Sequence, residues 1–382
     1  MADELSILIA QLNPTMGDID GNVALILAAL EEGRRQQADL VVCPEMVLVG
    51  YPPDDLVLKP ALQAACAAAI GRLAAATAGG TTAMLVGAPW RSGEALHNAV
   101  LLLAGGEVRA WRAKHELPNY GVFDDKRVFV PGPIPGPMPL VTAAGVTVRL
   151  GVMICEDMWL PDVAEGLQES GAEILICLNA SPFEHDKQDL RIQHAVARVT
   201  ETGLPLLAAF MVGGQDELVF DGGSFVIGAD RRLVTQAPMF ETGTWPTGWR
   251  RGADGIWQCV QGSLTKPPSP EEAIYRAMVL GLRDYVAKNR FPGIVLGLSG
   301  GVDSALSAVV AVDALGPQAV HAVMMPSRYT AQDSLEDAAA VARSLAIRLD
   351  TIPIEPAVAA FTAMLEPIFA GLPPDTTEEN IQ

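Results

Sequence analysis

From residue 293 to residue 370 the sequence alternates between strand and helix, and few folds accept that order. The pattern predicts a strand at 293–298, a helix at 303–315 stopped by Gly316, and a strand at 319–325. A helix at 333–346, a strand at 350–354 and a helix at 357–370 follow. Each β-to-α-to-β crossover must return to the sheet with the same hand, so strict alternation predicts a parallel, doubly wound sheet. A helix opens this region. Ser269 stands at its N-cap, Pro270 lies in its first turn, and Glu271 and Glu272 lie at the positive end of its dipole. Apolar residues at 274, 275, 278, 279, 282, 285 and 286 mark one face. Only three strands fit before Gln382, so 271–382 is expected to be the N-terminal part of a nucleotide-binding domain, incomplete as it stands.

Inside the alternation, "GLSGGVDSA" ends a strand, turns on glycines and opens a helix near Asp303. Gly300 and Gly301 let backbone N–H groups approach an anion with no Cβ in the way, and Ser299 and Ser304 add hydroxyls. No Lys-Ser or Lys-Thr follows the glycines, so this is not a Walker A loop, and its spacing also fails the dinucleotide fingerprint. A helix dipole contributes only ~0.3–2 kcal/mol toward an anion. The chain carries a formal charge of -19, so a triphosphate needs a divalent cation here, and Asp303 is the natural oxygen ligand for Mg²⁺. The bland alternative, a Gly-Ser turn with an Asp cap, loses ground because the turn sits at a strand-to-helix junction.

With 382 residues the chain is too long for one ordinary core. Residues 1–241 predict a strand-rich α/β domain. Buried strands at 6–12 and 39–45 flank a helix near 20–37, a helix follows near 60–76, and further strands run from "AMLVGAP" to "GGSFVIGA". Residues 242–270 lose periodicity and gather glycine, proline and three tryptophans, which predicts a linker. The acidic charge argues against nucleic acid or an anionic membrane as partner. Five scattered cysteines with no CxxC pair predict reduced thiols, and five histidines without ligand spacing predict no structural zinc. No signal peptide is visible and "PGPIPGPMP" breaks the longest uncharged stretch, so the expected location is the cytoplasm.

Three places stand out in the first domain. In "RLGVMICEDMW" a strand delivers Cys155 to its C-terminal end; in "VVCPEMVLVGYPPDDL" Glu45 ends an apolar strand; in "RAKHELPNYGVFDDKRVF" Lys114 ends a strand that begins near Glu107. Singly these are a small buried hydrophobe, a turn cap and a solvated charge. Cys43, Cys66 and Cys177 are assigned to packing, and Cys259 to the linker. Together, Glu45, Lys114 and Cys155 resemble the Glu-Lys-Cys triad of the nitrilase superfamily, whose members are amide-hydrolysing α-β-β-α sandwiches. The chemistry supports the residue types. A thiol of pKa about 8.5 and a carboxylate of about 4.3 differ by roughly 5–6 kcal/mol for proton transfer, and burial and a nearby ammonium both narrow that gap.

The Ser-Gly-Gly-x-Asp-Ser loop is similar to the pyrophosphate loop of the adenine-nucleotide α-hydrolases, which activate acyl groups with ATP. The two halves in one chain, with "GYPPDDL", "LPNYGVFDDKRVF", "ICEDMW", "NASPF" and "VMMPSRYT", resemble the glutamine-dependent NAD synthetase family. That resemblance implies Glu45 as base, Lys114 as oxyanion partner and Cys155 as nucleophile toward glutamine, with Tyr120, Ser181 and Lys187 holding the amino acid. It implies that Gly297, Leu298, Ser299, Gly300, Gly301, Val302, Asp303 and Ser304 bind ATP, that Asp303 holds Mg²⁺ and that Asn380 contacts deamido-NAD. It also implies an internal ammonia route and a homo-oligomer. Two other functions compete: a stand-alone carbon–nitrogen hydrolase with a vestigial nucleotide domain, and a nucleotide-binding assembly subunit without turnover.

Overall fold

A computed structural model describes residues 3–371. The chain forms two compact units that divide between Ala277 and Met278, inside the helix Pro270–Lys288. At the start of that helix Glu272 N donates to Ser269 Oγ at 3.2 Å, the cap expected from the sequence.

The first unit stacks two sheets between helices. One sheet has seven strands in the order Trp257–Gln261, Gly243–Arg251, Glu4–Gln11, Leu40–Val42, Ala83–Ser92, Ala95–Ala104, Glu107–Ala113. The other has six, in the order Leu233–Gln236, Phe225–Ile227, Leu206–Phe210, Ile174–Asn179, Thr147–Ile154, Met138–Val141. Strand periodicity sets the layers. Ile7 and Ile9 face inward with Leu40, Val42, Leu85 and Val100 against Val152, Ile154, Ile176, Leu178 and Leu207 of the second sheet. Leu8, Ala10, Val41, Met84 and Val86 face outward, against Ile26, Leu30, Ile70 and Leu73 of the helices Ile19–Arg35 and Pro60–Ala76. On the far side, Met153, Leu175, Cys177, Ala208 and Phe210 meet Val163, Leu167, Ala195 and Val199 of the helices Pro161–Glu169 and Lys187–Thr202. This is the α-β-β-α sandwich expected from the sequence.

Residues 242–270 differ from the expected linker. Gly243–Arg251 pairs antiparallel with Glu4–Gln11 along its whole length, from Glu4 opposite Arg250 to Gln11 opposite Gly243. Trp249 and Trp257 are buried between the sheets. Pro246 misled the sequence argument. Its missing N–H costs nothing, because the outer neighbour Trp257–Gln261 pairs only from Gly248 to Arg251. Alternation was present in Thr247 and Trp249: Trp249 Nε1 donates to Thr247 Oγ1 at 2.9 Å, and that hydroxyl donates to Ile7 O at 2.9 Å. Cys259, assigned to the linker, lies on the outer of these strands with its Sγ 3.8 Å from Thr235 Oγ1.

The second unit contains a three-stranded parallel sheet in the order Ile294–Gly297, Val320–Met324, Arg348–Thr351. The helices Val302–Leu315, Gln332–Ser344 and Glu355–Phe369 complete the alternation. Its core gathers Leu298, Ala308, Ala311, Val320, Ala322, Ala338, Ala342 and Ile347. Small alanines let the helices approach the sheet closely. Among the described residues no helix is long and apolar enough to cross a membrane.

Candidate active site

The two sheets of the first unit each bring functional side chains to their strand ends. Glu45 follows Leu40–Val42, and Lys114 follows Glu107–Ala113, both on the first sheet; Cys155 follows Thr147–Ile154 on the second. All three are at least 97% buried, with exposures of 0% for Glu45, 1% for Lys114 and 3% for Cys155. Lys114 Nζ donates to Glu45 Oε1 at 2.8 Å and to Asp125 Oδ2 at 2.8 Å. Asn98 Nδ2 also donates to Glu45 Oε1, at 2.7 Å, and Ala180 N donates to Glu45 Oε2 at 2.9 Å. Ala180 lies directly after Ile174–Asn179, so one carboxylate ties the two sheets together.

Two carboxylates share one ammonium, so the cluster carries a net negative charge inside the protein. Burial alone would lower the Lys114 pKa, but the attraction of Glu45 and Asp125 outweighs it and holds the amine protonated, well above its ordinary range. Glu45 supplies a carboxylate that can act as a proton acceptor. Cys155 is the nearby group with a proton to give. Burial pushes its thiol well above the ordinary value and Glu45 adds to that, while Lys114 pulls the other way. The resting thiol is therefore neutral, so nucleophilic attack requires proton transfer as it proceeds.

Cys155 itself has φ +45°, a left-handed backbone that is uncommon for a residue with a Cβ. Asp157 helps to hold this turn. Its Oδ2 accepts from Ile154 N at 3.0 Å, and its Oδ1 accepts from His115 N at 3.1 Å and Glu116 N at 2.8 Å. Burial raises its carboxyl to about 6, and these backbone donors oppose the rise. Because His115 and Glu116 follow Lys114, Asp157 couples the cysteine turn to the lysine loop.

Sequence reasoning missed Asn98, Asp125 and Asp157. The doublet "FDD" and the acid two residues past the cysteine were the available signals, and neither indicates which carboxylate turns inward. In the structure Asp124 is exposed and Asp125 is buried, and Tyr51 OH donates to Asp125 Oδ1 at 3.1 Å.

Tyr120, Ser181 and Lys187 lie around this cluster. Tyr120 OH lies 3.0 Å from each oxygen of Glu156, the neighbour of Cys155. Burial raises the Glu156 carboxyl, and the Tyr120 hydrogen bond partly reverses that. The Tyr120 ring packs edge-on to Phe123 at 5.5 Å, and Lys187 Nζ lies 5.6 Å from the centre of the Phe123 ring. Lys187 also pairs with Glu184 at 2.5 Å. Ser181 is buried and its Oγ has no hydrogen-bond partner among the described residues. Such a hydroxyl is normally satisfied, which suits a ligand contact. The Ser181 backbone is fixed by Arg191, another residue sequence reasoning missed. Its guanidinium donates to Ser181 O at 2.7 Å and Pro182 O at 3.1 Å, and pairs with Asp221.

In the second unit, Leu298 N donates to Val323 O at 2.9 Å and continues the sheet to the edge of the loop. Gly301 N donates to Ser299 Oγ at 3.2 Å, Ser304 Oγ donates to Gly301 O at 3.0 Å, and the two serine hydroxyls lie 3.0 Å apart. Those contacts occupy the hydroxyl hydrogens within the loop. Backbone N–H groups at the opening of Val302–Leu315, which lack partners inside the helix, remain for an anion. Gly300 has φ +82°, and a Cβ there would stand 2.2 Å from Ser334 O. Gly300→Ala is therefore expected to distort the loop and to destabilise the chain by ~1–3 kcal/mol, which urea unfolding would measure. Asp303 is exposed on the first helical turn, and Asn380 lies outside the described residues.

This architecture defines a two-part class, an α-β-β-α sandwich with a buried Cys-Glu-Lys cluster joined to a parallel-sheet unit with a glycine-rich loop. Residues 7–246 match the carbon-nitrogen hydrolase family and residues 274–382 match the NAD synthase family. The chain is 49% identical over 382 residues to glutamine-dependent NAD(+) synthetase of Rhodobacter capsulatus, covering 100% of this chain and 68% of that protein. The Thermotoga maritima relative of the same name is 37% identical, with coverages of 99% and 70%. The solved glutamine-dependent NAD+ synthetase of Acinetobacter baumannii, in complex with ADP, superposes with a TM-score of 0.91 at 34% identity, over 99% of this chain and 70% of that one. An amidase from Nesterenkonia sp. matches with a TM-score of 0.55 at 26% identity, over 63% of this chain and 89% of that one. The chain belongs to the glutamine-dependent NAD(+) synthetase family.

Proposed function

We propose that this chain carries out the family reaction with a cysteine glutaminase in its first unit and ATP-driven amide formation in its second. The buried Glu45–Lys114 pair beside Cys155, in one chain with the phosphate loop, is the observation that carries this account. The NAD synthase match over 274–382 favours it over a stand-alone hydrolase.

In the first unit Glu45 takes the thiol proton as Cys155 Sγ attacks the side-chain amide carbon of glutamine. The ammonium of Lys114 offsets the oxyanion, which would otherwise add to a cluster that is already negative. Glu45 then delivers the proton to the departing nitrogen, and ammonia leaves a γ-glutamyl thioester. Water attacks the thioester with Glu45 again as base, glutamate departs, and the proton returns to sulfur. Tyr120, Ser181 and Lys187 hold the substrate, with Lys187 opposite its α-carboxylate. In the second unit the carboxylate of deamido-NAD attacks ATP and releases pyrophosphate; ammonia then displaces AMP and gives NAD.

Residues 297–304 bind ATP in this scheme, and Asn380 contacts deamido-NAD. Mg²⁺ fits Asp303 as a partial ligand set. The carboxylate is exposed and has no hydrogen-bond partner among the described residues, and Mg²⁺ commonly takes one or two carboxylates together with substrate phosphates. When bound it neutralises phosphate charge. A homo-oligomer, which sedimentation of the full chain would report, and internal transfer of ammonia complete the proposal.

Acid-quenching the chain during turnover of glutamine is expected to trap a γ-glutamyl adduct on the peptide that contains Cys155, detected by mass spectrometry. An adduct on another cysteine, or none despite glutamate release, would contradict the assignment.

A further inference from the structure

The phosphate loop contributes no basic side chain, yet the chain carries a charge of -19 and its nucleotide substrate is itself strongly negative. A compensating cation belongs at the carboxyl edge of the sheet in the second unit, where ligands bind in folds of this type. Three connections leave that edge, at 298–301, 325–331 and 352–354. They contain a single Lys or Arg between them, Arg328.

Several contacts place the Arg328 connection beside the phosphate loop. A Cβ on Gly300 would meet Ser334 O, and one on Gly297 would stand 3.5 Å from Met325 Cε. On its other side, Ile352 N donates to Met324 O at 2.8 Å and Ile354 N donates to Pro326 O at 3.0 Å. A tight turn presents Arg328: Ser327 N donates to Thr330 Oγ1 at 3.0 Å, and Thr330 N donates to Ser327 O at 3.1 Å. The guanidinium pairs with Glu355, the first residue of the helix Glu355–Phe369, and Arg328 N donates to the same carboxylate at 3.3 Å. With side-chain exposures of 58% and 37%, this pair adds little to stability.

We propose that Arg328 is a phosphate-binding residue of the ATP site, and that its guanidinium exchanges the Glu355 carboxylate for phosphate oxygens when nucleotide binds; this rests on the ATP site assigned above. Guanidinium is suited to the exchange because it donates two parallel hydrogen bonds to phosphate as readily as to a carboxylate. The released Glu355 is not stranded. It remains open to water at the N-terminus of its own helix, where the dipole favours an anion. Glu355 thus keeps the cation in place between turnovers and competes with ATP for it.

The test compares binding of adenosine and of ATP with Mg²⁺ to the full chain by calorimetry, using wild type, Arg328→Ala, Arg328→Lys, Glu355→Gln and the Arg328→Ala/Glu355→Gln double variant. The expected result is ATP binding weakened about 10- to 100-fold by Arg328→Ala, with adenosine binding unchanged. Arg328→Lys should recover part of the loss. Glu355→Gln should tighten ATP binding, by a factor that shrinks in the double variant. Unchanged ATP binding in Arg328→Ala would overturn the proposal. So would an equal loss for adenosine and ATP, since that is the signature of a structural latch. A wild-type chain that binds neither ligand would overturn the ATP-site assignment and this proposal with it, whereas an effect missing only in the variants overturns Arg328 alone.

Discussion

Lys114→Met is expected to abolish glutamine hydrolysis and to destabilise the chain by ~3–5 kcal/mol, the usual cost of removing one partner from a buried ion pair. Methionine keeps much of the side-chain volume, so a cavity does not account for the loss. Glu45 and Asp125 would face each other without the ammonium that now lies 2.8 Å from each. Two buried carboxylates so placed cannot both stay ionised, and one is expected to hold its proton well above the unfolded value. A folded-state pKa raised in this way stabilises below the unfolded pKa and loses that contribution as pH rises through the folded value. The stability deficit of the variant should therefore be larger at pH 8 than at pH 5. Wild type lacks this dependence from Lys114 across the same range, because its amine titrates above the ordinary lysine value. Urea unfolding at the two pH values, followed by circular dichroism, measures the difference; an equal deficit at both would contradict the charge account.

Glu45→Gln separates proton transfer from the architecture around it. Glutamine retains one oxygen to accept from Asn98 and Lys114, and presents an amide to Ala180 N in place of a carboxylate oxygen. The fold is expected to persist while kcat for glutamate formation falls about 10²- to 10⁴-fold, the range for losing a general base. Alkylation of Cys155 by iodoacetamide should slow in parallel, because the thiol stays protonated by burial and loses its proton acceptor. A folded variant with kcat close to wild type would show that another group takes the proton.

Which parts of this site could be found in the sequence depended on how far apart the interacting residues lie. The phosphate loop is local: a strand, two glycines and a helix within a dozen residues define it, and the structure places strand and helix within a residue or two of expectation. Glu45, Lys114 and Cys155 became a set only through resemblance, since Glu45 and Lys114 are 69 positions apart. Asp125 and Asp157 stayed hidden because their burial is decided by distant partners. Tyr51 reaches Asp125 across 74 positions, and the His115 N–H bonded to Asp157 is 42 positions away. Arg191 carries no local sequence signal of its own, yet it is fully buried against Asp221 and the Ser181 carbonyl. The missed strand Gly243–Arg251 had a different cause. Its glycines and Pro246 are costly in an ordinary central strand, but its outer neighbour is too short to demand the missing donor.

In the proposed reaction, ammonia released at Cys155 is the nitrogen that enters NAD. The most direct test supplies the chain with glutamine labelled with ¹⁵N at the side-chain amide, together with ATP, Mg²⁺ and deamido-NAD, and follows glutamate and labelled NAD in wild type and in Cys155→Ala. Both products are expected in equal amounts from wild type and neither from the variant. Labelled NAD formed by Cys155→Ala, or glutamate released by wild type with no label reaching NAD, would contradict that transfer.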